Sequence, residues 1–151
     1  MSVPFLACMA AVASFYHLPP RALPAIQHVE GGSVGSVSRN TDGSEDLGVM
    51  QVNTLWIAPL ARRTRLTQAE VRRRLIEDAC FNIAAAGAIL RIYLDEEHGD
   101  LMRAVGDFHS HTPARNTAYQ AKVLAAATRL FVPVHPQLQA QAQPGGHLPP
   151  R

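Results

Sequence analysis

Apolar positions recur along this chain with a helical period, and no stretch alternates apolar and polar residues long enough to read as a strand. The pattern predicts a first helix near residues 4–16, stopped by Pro19 and Pro20. A second helix starts about there and carries Leu23, Ile26, Gln27 and Glu30 on neighbouring turns. Gly31 and Gly32 end it because both tolerate positive φ, and Ser33 to Glu45 reads as a long loop or irregular hairpin. A short helix from about Thr54 to Arg63 presents Leu55, Trp56 and Leu60, and Thr67 and Glu70 then have capping-box spacing. The longest element, about Ala79 to Glu97, carries Ile83, Gly87, Leu90 and Leu94 on one stripe, with alanines that allow close neighbours. Two more helices fit residues 101–110 and 115–130, linked across Thr112 and Pro113.

The expected fold is therefore mainly α. One domain over residues 1–132 is followed by a flexible Pro/Gln-rich tail over residues 133–151, which offers little to bury. A chain of 151 residues, 47% hydrophobic and 17% charged, fills one core and not two. Its formal charge of +2 is too mild to demand a nucleic-acid partner. No apolar run reaches the roughly 18 residues of a membrane span. The stretch from Val3 to Tyr16 lacks the basic start of a secretion leader and runs into domain sequence without a cleavage site, so it reads as a helix. Cys8 and Cys80 are compatible by spacing with two buried thiols or with one disulfide.

Glu30 is the first candidate for chemistry. A carboxyl at a helix C-terminus meets the negative end of the dipole, and burial among Ala25, Ile26 and Val29 would raise its pKa as well. A proton held near neutral pH suits a general acid for a glycosidic oxygen, although position alone better fits a surface glutamate leaving its helix. Asp46-Leu47-Gly48-Val49-Met50-Gln51-Val52-Asn53 combines a permissive glycine with amides at Gln51 and Asn53, which match sugar hydroxyls and N-acetyl groups. Met50 could lie against a pyranose face, or its apolar neighbours could simply be core.

Four ordered segments together carry a resemblance: Ala25-Ile26-Gln27-His28-Val29-Glu30-Gly31-Gly32, then Leu47-Gly48-Val49-Met50-Gln51-Val52-Asn53, then Cys80-Phe81-Asn82-Ile83, then Phe108-His109-Ser110-His111-Thr112-Pro113 followed by Tyr119. The chain is similar to the lytic transglycosylases of the goose-lysozyme-like superfamily, particularly the small ones that accompany secretion, conjugation and pilus machines. The resemblance implies a lysozyme-like domain with a small irregular lobe beside its cleft, and Glu30 as sole catalytic acid/base. Gly48, Met50, Gln51, Asn53, Phe108 and His109 would bind glycan, and Tyr119 would hold Glu30. It also implies a Cys8–Cys80 disulfide, no cofactor and no metal. Peptidoglycan would be the substrate, handled by an exported monomer in the periplasm or cell envelope, with a leader outside this sequence. The chain departs from many relatives at Gly31, where they have serine, and at Phe108-His109, where they have Tyr-Asn.

Other readings compete. A hydrolysing muramidase would need a second carboxylate about 5–9 Å from the first, and Asp42, Glu45 and Asp46 are available. Six of the fourteen basic residues, Arg62, Arg63, Arg65, Arg72, Arg73 and Arg74, form a basic face that suits duplex DNA less well than anionic peptidoglycan or a partner. His98, His109 and His111 lack a carboxylate or thiolate pattern to complete a metal site. A glycan-binding scaffold without catalysis is the remaining alternative.

Overall fold

The computed structural model describes residues 2–132, and the segment 133–151 expected to be a tail lies outside the described residues. Seven α-helices among them are α1 (Leu6–Phe15), α2 (Ala22–Glu30), α3 (Ile57–Thr64), α4 (Gln68–Glu77), α5 (Ala79–Glu96), α6 (Leu101–His109) and α7 (Pro113–Phe131). Strands β1 (Val37–Arg39), β2 (Glu45–Leu47) and β3 (Val52–Asn53) form one small antiparallel sheet between α2 and a 3-10 turn at Thr54–Trp56. The fold is mainly helical with a small sheet lobe, as expected of a lysozyme-like domain. Among the described residues no helix is long and apolar enough to cross a membrane.

Helix α5 is the axis, touching α1, α2, α4, α6 and β3. Its stripe of Ile83, Gly87, Leu90 and Leu94 is buried. Gly87 is required by close approach, because a Cβ there would stand 2.2 Å from Val12 Cγ1 of α1. The same two helices are joined by a Cys8–Cys80 disulfide, with Cα atoms 5.5 Å apart. Asp78 starts α5 by accepting the Phe81 N–H at 3.0 Å.

Of the two readings of Ser33–Glu45, the hairpin is the one the structure has, pairing Val37 with Leu47 and Arg39 with Glu45. Other local expectations are corrected. Pro113 is the first residue of α7 rather than part of the linker, a position where its missing N–H costs nothing. Gly31 takes the left-handed cap with φ 65°, whereas Gly32 is needed for space: a Cβ there would lie 2.2 Å from the Gly48 carbonyl oxygen. The capping box is half made. Thr67 Oγ1 accepts the Glu70 N–H at 3.1 Å, but the Glu70 carboxylate turns to Arg73 and Arg74 instead of returning to the Thr67 amide.

The sheet lobe is fastened to the helices by Asn82. This fully buried side chain accepts the Met50 N–H at 2.8 Å and donates to the carbonyls of Leu47 at 2.7 Å and Leu75 at 2.8 Å. Asn82→Ala would leave three buried backbone groups without partners, at about 1–3 kcal/mol each before relaxation. We expect a loss of at least about 3 kcal/mol in urea unfolding; a loss under 1 kcal/mol would mean the amide is dispensable. The disulfide closes a separation of 72 residues. In the chain-entropy model its removal by Cys8→Ser with Cys80→Ser costs about 4 kcal/mol, measurable as a lower urea midpoint with a steeper slope, because the unlinked unfolded chain is more expanded.

Candidate active site

The sheet lobe and the helices enclose a cleft of about 640 Å³. Glu30 enters it from the last turn of α2, where the left-handed Gly31 turns the chain away and leaves the carboxyl facing the lobe. Asn40, Asp42, Ser44, Asp46, Gln51 and Asn53 line one side. Trp56, Tyr93, Phe108, His109, His111 and Arg115 line much of the other. Amides, hydroxyls and carboxylates on one wall and rings on the other are what a sugar requires, since each pyranose has polar edges and a flat C–H face.

Glu30 is held by one short contact, in which Tyr119 Oη donates to Oε1 at 2.5 Å. Burial is the largest influence on its carboxyl and raises the pKa above 4.5. The Tyr119 hydrogen bond opposes that rise, the charge of Asp46 adds to it, and Lys122 opposes it. Tyr119 is 4% exposed, and burial followed by the Glu30 charge pushes its phenol well above the usual range. It is therefore a permanent donor that does not compete for the carboxyl proton. His109 stacks face to face on the Tyr119 ring at 4.7 Å and 4°. Burial lowers the His109 pKa, helped by Lys122 and Arg115, so the stacked ring is neutral at neutral pH.

The three acidic residues considered for a second carboxylate separate clearly. Asp42 is an exposed turn residue whose Oδ1 accepts both the Ser44 N–H at 2.9 Å and its hydroxyl at 2.7 Å, and these bonds lower its pKa. Glu45 pairs with Arg72 at 2.5 Å and Arg39 at 3.7 Å, outside the cleft wall. Asp46 lies in the wall, and each of its oxygens accepts an amide: Oδ1 from Asn53 at 2.9 Å and Oδ2 from Asn40 at 3.1 Å.

The other sequence candidates divide as well. Gln51, Asn53, Phe108 and His109 line the cleft with Glu30. Gln51 has φ 51° and donates from Nε2 to the Gly48 carbonyl at 2.9 Å and to Ser36 Oγ at 3.1 Å. Gly48 and Met50 are not brought to the cleft surface. Met50 is fully buried in the core, and Gly48, with φ 69°, is pressed against the Leu75 carbonyl and Asn82. Trp56, Tyr93 and His111 were not among the sequence candidates for binding. They form a ladder of edge-to-face contacts, Trp56 to Tyr93 at 5.9 Å and Tyr93 to His111 at 5.3 Å. Their aromatic character was the only sequence signal, since the meeting of three segments is tertiary. His109 and His111 face different rings, and His98 lies outside the cleft wall.

No family model matches the chain. It is similar to curated proteins named invasion protein IagB from Salmonella typhimurium, strains SL1344 and LT2, and from Salmonella typhi. Each is 24% identical over 111 residues, covering 73% of this chain and 66% of the relative. The match thus spans about two thirds of the length of these relatives.

The balance at Glu30 gives a prediction about stability. Because its folded pKa is raised, the native state binds the proton more tightly than the unfolded chain, and stability falls as pH rises from about 4.5 through the folded value. Glu30→Gln removes that penalty while keeping an acceptor for Tyr119. The variant should melt above wild type at pH 7 and lose this advantage near pH 4; an equal difference at both pH values would contradict the raised pKa. Tyr119→Phe, lacking the bond that lowers the Glu30 pKa, should shift the alkaline limb of any Glu30-dependent activity to higher pH.

Proposed function

We propose that this chain is a peptidoglycan lytic transglycosylase, cleaving the β-1,4 bond between N-acetylmuramic acid and N-acetylglucosamine. The observation that carries the reading is Glu30: a half-buried carboxyl of raised pKa, fixed by Tyr119, in a cleft with a polar wall facing an aromatic one. Its distant likeness to the invasion proteins supports the superfamily and adds nothing on substrate.

Protonated Glu30 gives its proton to the bridging oxygen, and the bond from that oxygen to the muramoyl anomeric carbon breaks. The substrate's 2-acetamido oxygen shares the positive charge. Glu30, now a carboxylate, takes the proton of the muramoyl 6-hydroxyl as that oxygen bonds to the anomeric carbon. A 1,6-anhydro end forms, no water is consumed, and Glu30 regains its proton. Tyr119 keeps the carboxyl aimed through both transfers. Neutral His109 and the Asn53 and Gln51 amides would orient the sugars. No cofactor is needed.

The disulfide supports an oxidising compartment, and we place the protein in the periplasm or cell envelope. There it would open the wall locally for a secretion, conjugation or pilus assembly, a setting in keeping with relatives named invasion proteins.

A second reading, hydrolysis by a muramidase, is favoured by one feature: Asp46, held by two amides in the same cleft as Glu30. Products separate the two. With purified peptidoglycan, wild type should release anhydromuramoyl fragments by mass spectrometry, and Glu30→Gln should lower the rate about 10²–10⁴-fold. Asp46→Asn should slow the reaction while the products stay anhydro. Reducing ends from wild type, abolished in Asp46→Asn, would establish the hydrolase instead. No cleavage by folded wild type would favour a glycan-binding scaffold.

A further inference from the structure

The six arginines between Arg62 and Arg74 fall into two electrostatic classes. On α4, Arg72 pairs with Glu45 at 2.5 Å, Arg73 with Glu70 at 2.7 Å and Glu77 at 3.2 Å, and Arg74 with Glu70 at 3.0 Å. The two guanidiniums hold the Glu70 carboxyl down to about 2, so this face neutralises itself. On α3 and at its C-cap, Arg62, Arg63 and Arg65 make no ion pair among the described residues. Arg63 rests its guanidinium 6.0 Å from the centre of the Tyr16 ring, a contact that steadies the group and leaves its charge unpaired.

Arg62 and Arg63 edge a second groove of about 390 Å³ between α3 and α5, lined also by apolar Pro59 and Ile92. Ile92 is 37% exposed. Trp56 and Ile89 line both this groove and the main cleft, so the two lie side by side. Cations in the last turn of α3 suit its dipole, but the dipole does not explain an open apolar surface beside them. The charged side chains of the groove are guanidiniums, which only donate. Its ligand should therefore be rich in acceptors and negatively charged, unlike the uncharged sugar edges that the main cleft's amides suit.

We propose that the groove is a subsite for an anionic peptide, the short carboxylate-bearing peptide that peptidoglycan carries on its muramoyl residues. The inference rests on the glycan-cleavage reading above. A peptide branching from a sugar in the cleft must leave it, and the groove adjoins the cleft at Trp56. Its carboxylates meet Arg62 and Arg63 while its aliphatic parts lie on Pro59 and Ile92. Specificity would then come from the peptide as well as the glycan.

The test compares peptide-bearing glycan strands with strands stripped of peptide by an amidase. Arg62→Gln with Arg63→Gln should raise KM for peptide-bearing strands about fivefold, the size expected for two exposed charge contacts, and leave KM for stripped strands unchanged. Arg73→Gln with Arg74→Gln removes the same formal charge from α4 and should alter neither. A groove variant with unchanged KM on both substrates, or one that shifts both equally, overturns the proposal and leaves cleavage standing. Unchanged KM with weakened self-association in ultracentrifugation would make the occupant a second copy, and the proposal again falls. If wild type cleaves neither strand, the cleavage reading fails, and the groove is judged by titrating the free acidic tetrapeptide against the fluorescence of Trp56, the single tryptophan. A saturable change lost in the groove variant upholds an anionic-peptide site, and no change overturns it.

Discussion

One buried amide joins the two halves of the molecule. Asn82 takes the N–H of Met50 and gives its own hydrogens to the carbonyls of Leu47 and Leu75, binding β2 and the turn after it to the ends of α4 and α5. No water reaches these backbone groups, so the side chain replaces the solvent they lost on folding. The tight approach propagates outward. With Asn82 and the Leu75 carbonyl so near, position 48 has no room for a Cβ, and Gly48 is left-handed. Its carbonyl receives the Gln51 side chain and lies so close to Gly32 that residue 32 must also be glycine. A line of close contacts thus runs from the start of α5 to the residues following Glu30, and the cleft inherits its shape from that line.

At Glu30, opposing influences are balanced rather than maximised. Burial and the Asp46 charge favour the protonated carboxyl, while Tyr119 and Lys122 favour the charged one. A carboxyl under burial alone would hold its proton too firmly to give it up, and one with many donors would have none to give. Tyr119 is suited to the middle course because its own proton is so tightly held. Stacked against neutral His109, the phenol ring is held on one face without a second charge near the carboxyl. His109 therefore acts here through its ring.

The sequence was most legible where one residue type has one physical use. Two glycines after an apolar turn end a helix, so Glu30 could be placed on the last turn of α2, and the stripe through Ile83 and Leu90 marked the central helix. The strands were illegible because runs of three, three and two residues are too short to show an alternation. Gly48 and Met50 sit in a motif that also contains Gln51 and Asn53, and nothing in the order of residues says which of them face the core. Spacing also proposed a full capping box at Thr67 and Glu70, but it is blind to competition from Arg73 and Arg74. Asp42, Glu45 and Asp46 look alike in sequence. They differ only in their partners: a turn serine, an arginine across the lobe, and two amides in the cleft. The cysteine pairing came from resemblance, since a separation of 72 residues says nothing about proximity.

Those amides also bear on the chemistry proposed for the cleft. Glu30 can serve either an internal hydroxyl or water, so the product depends on which oxygen reaches the anomeric carbon. The muramoyl 6-hydroxyl is tethered to the same ring, and well-oriented intramolecular groups act with effective molarities of about 10⁵–10⁸ M. Water must instead be held in place by a base with a free lone pair aimed at it. Both oxygens of Asp46 accept hydrogen bonds, from Asn53 and Asn40, which fix the carboxylate in the cleft wall and leave a lone pair on each oxygen. Its negative charge is felt at Glu30. Asp46 is thus held as a fixed counter-charge in the same cleft as Glu30. A fixed counter-charge helps both reactions at their common, bond-breaking step, and at the next step the tethered hydroxyl has the advantage.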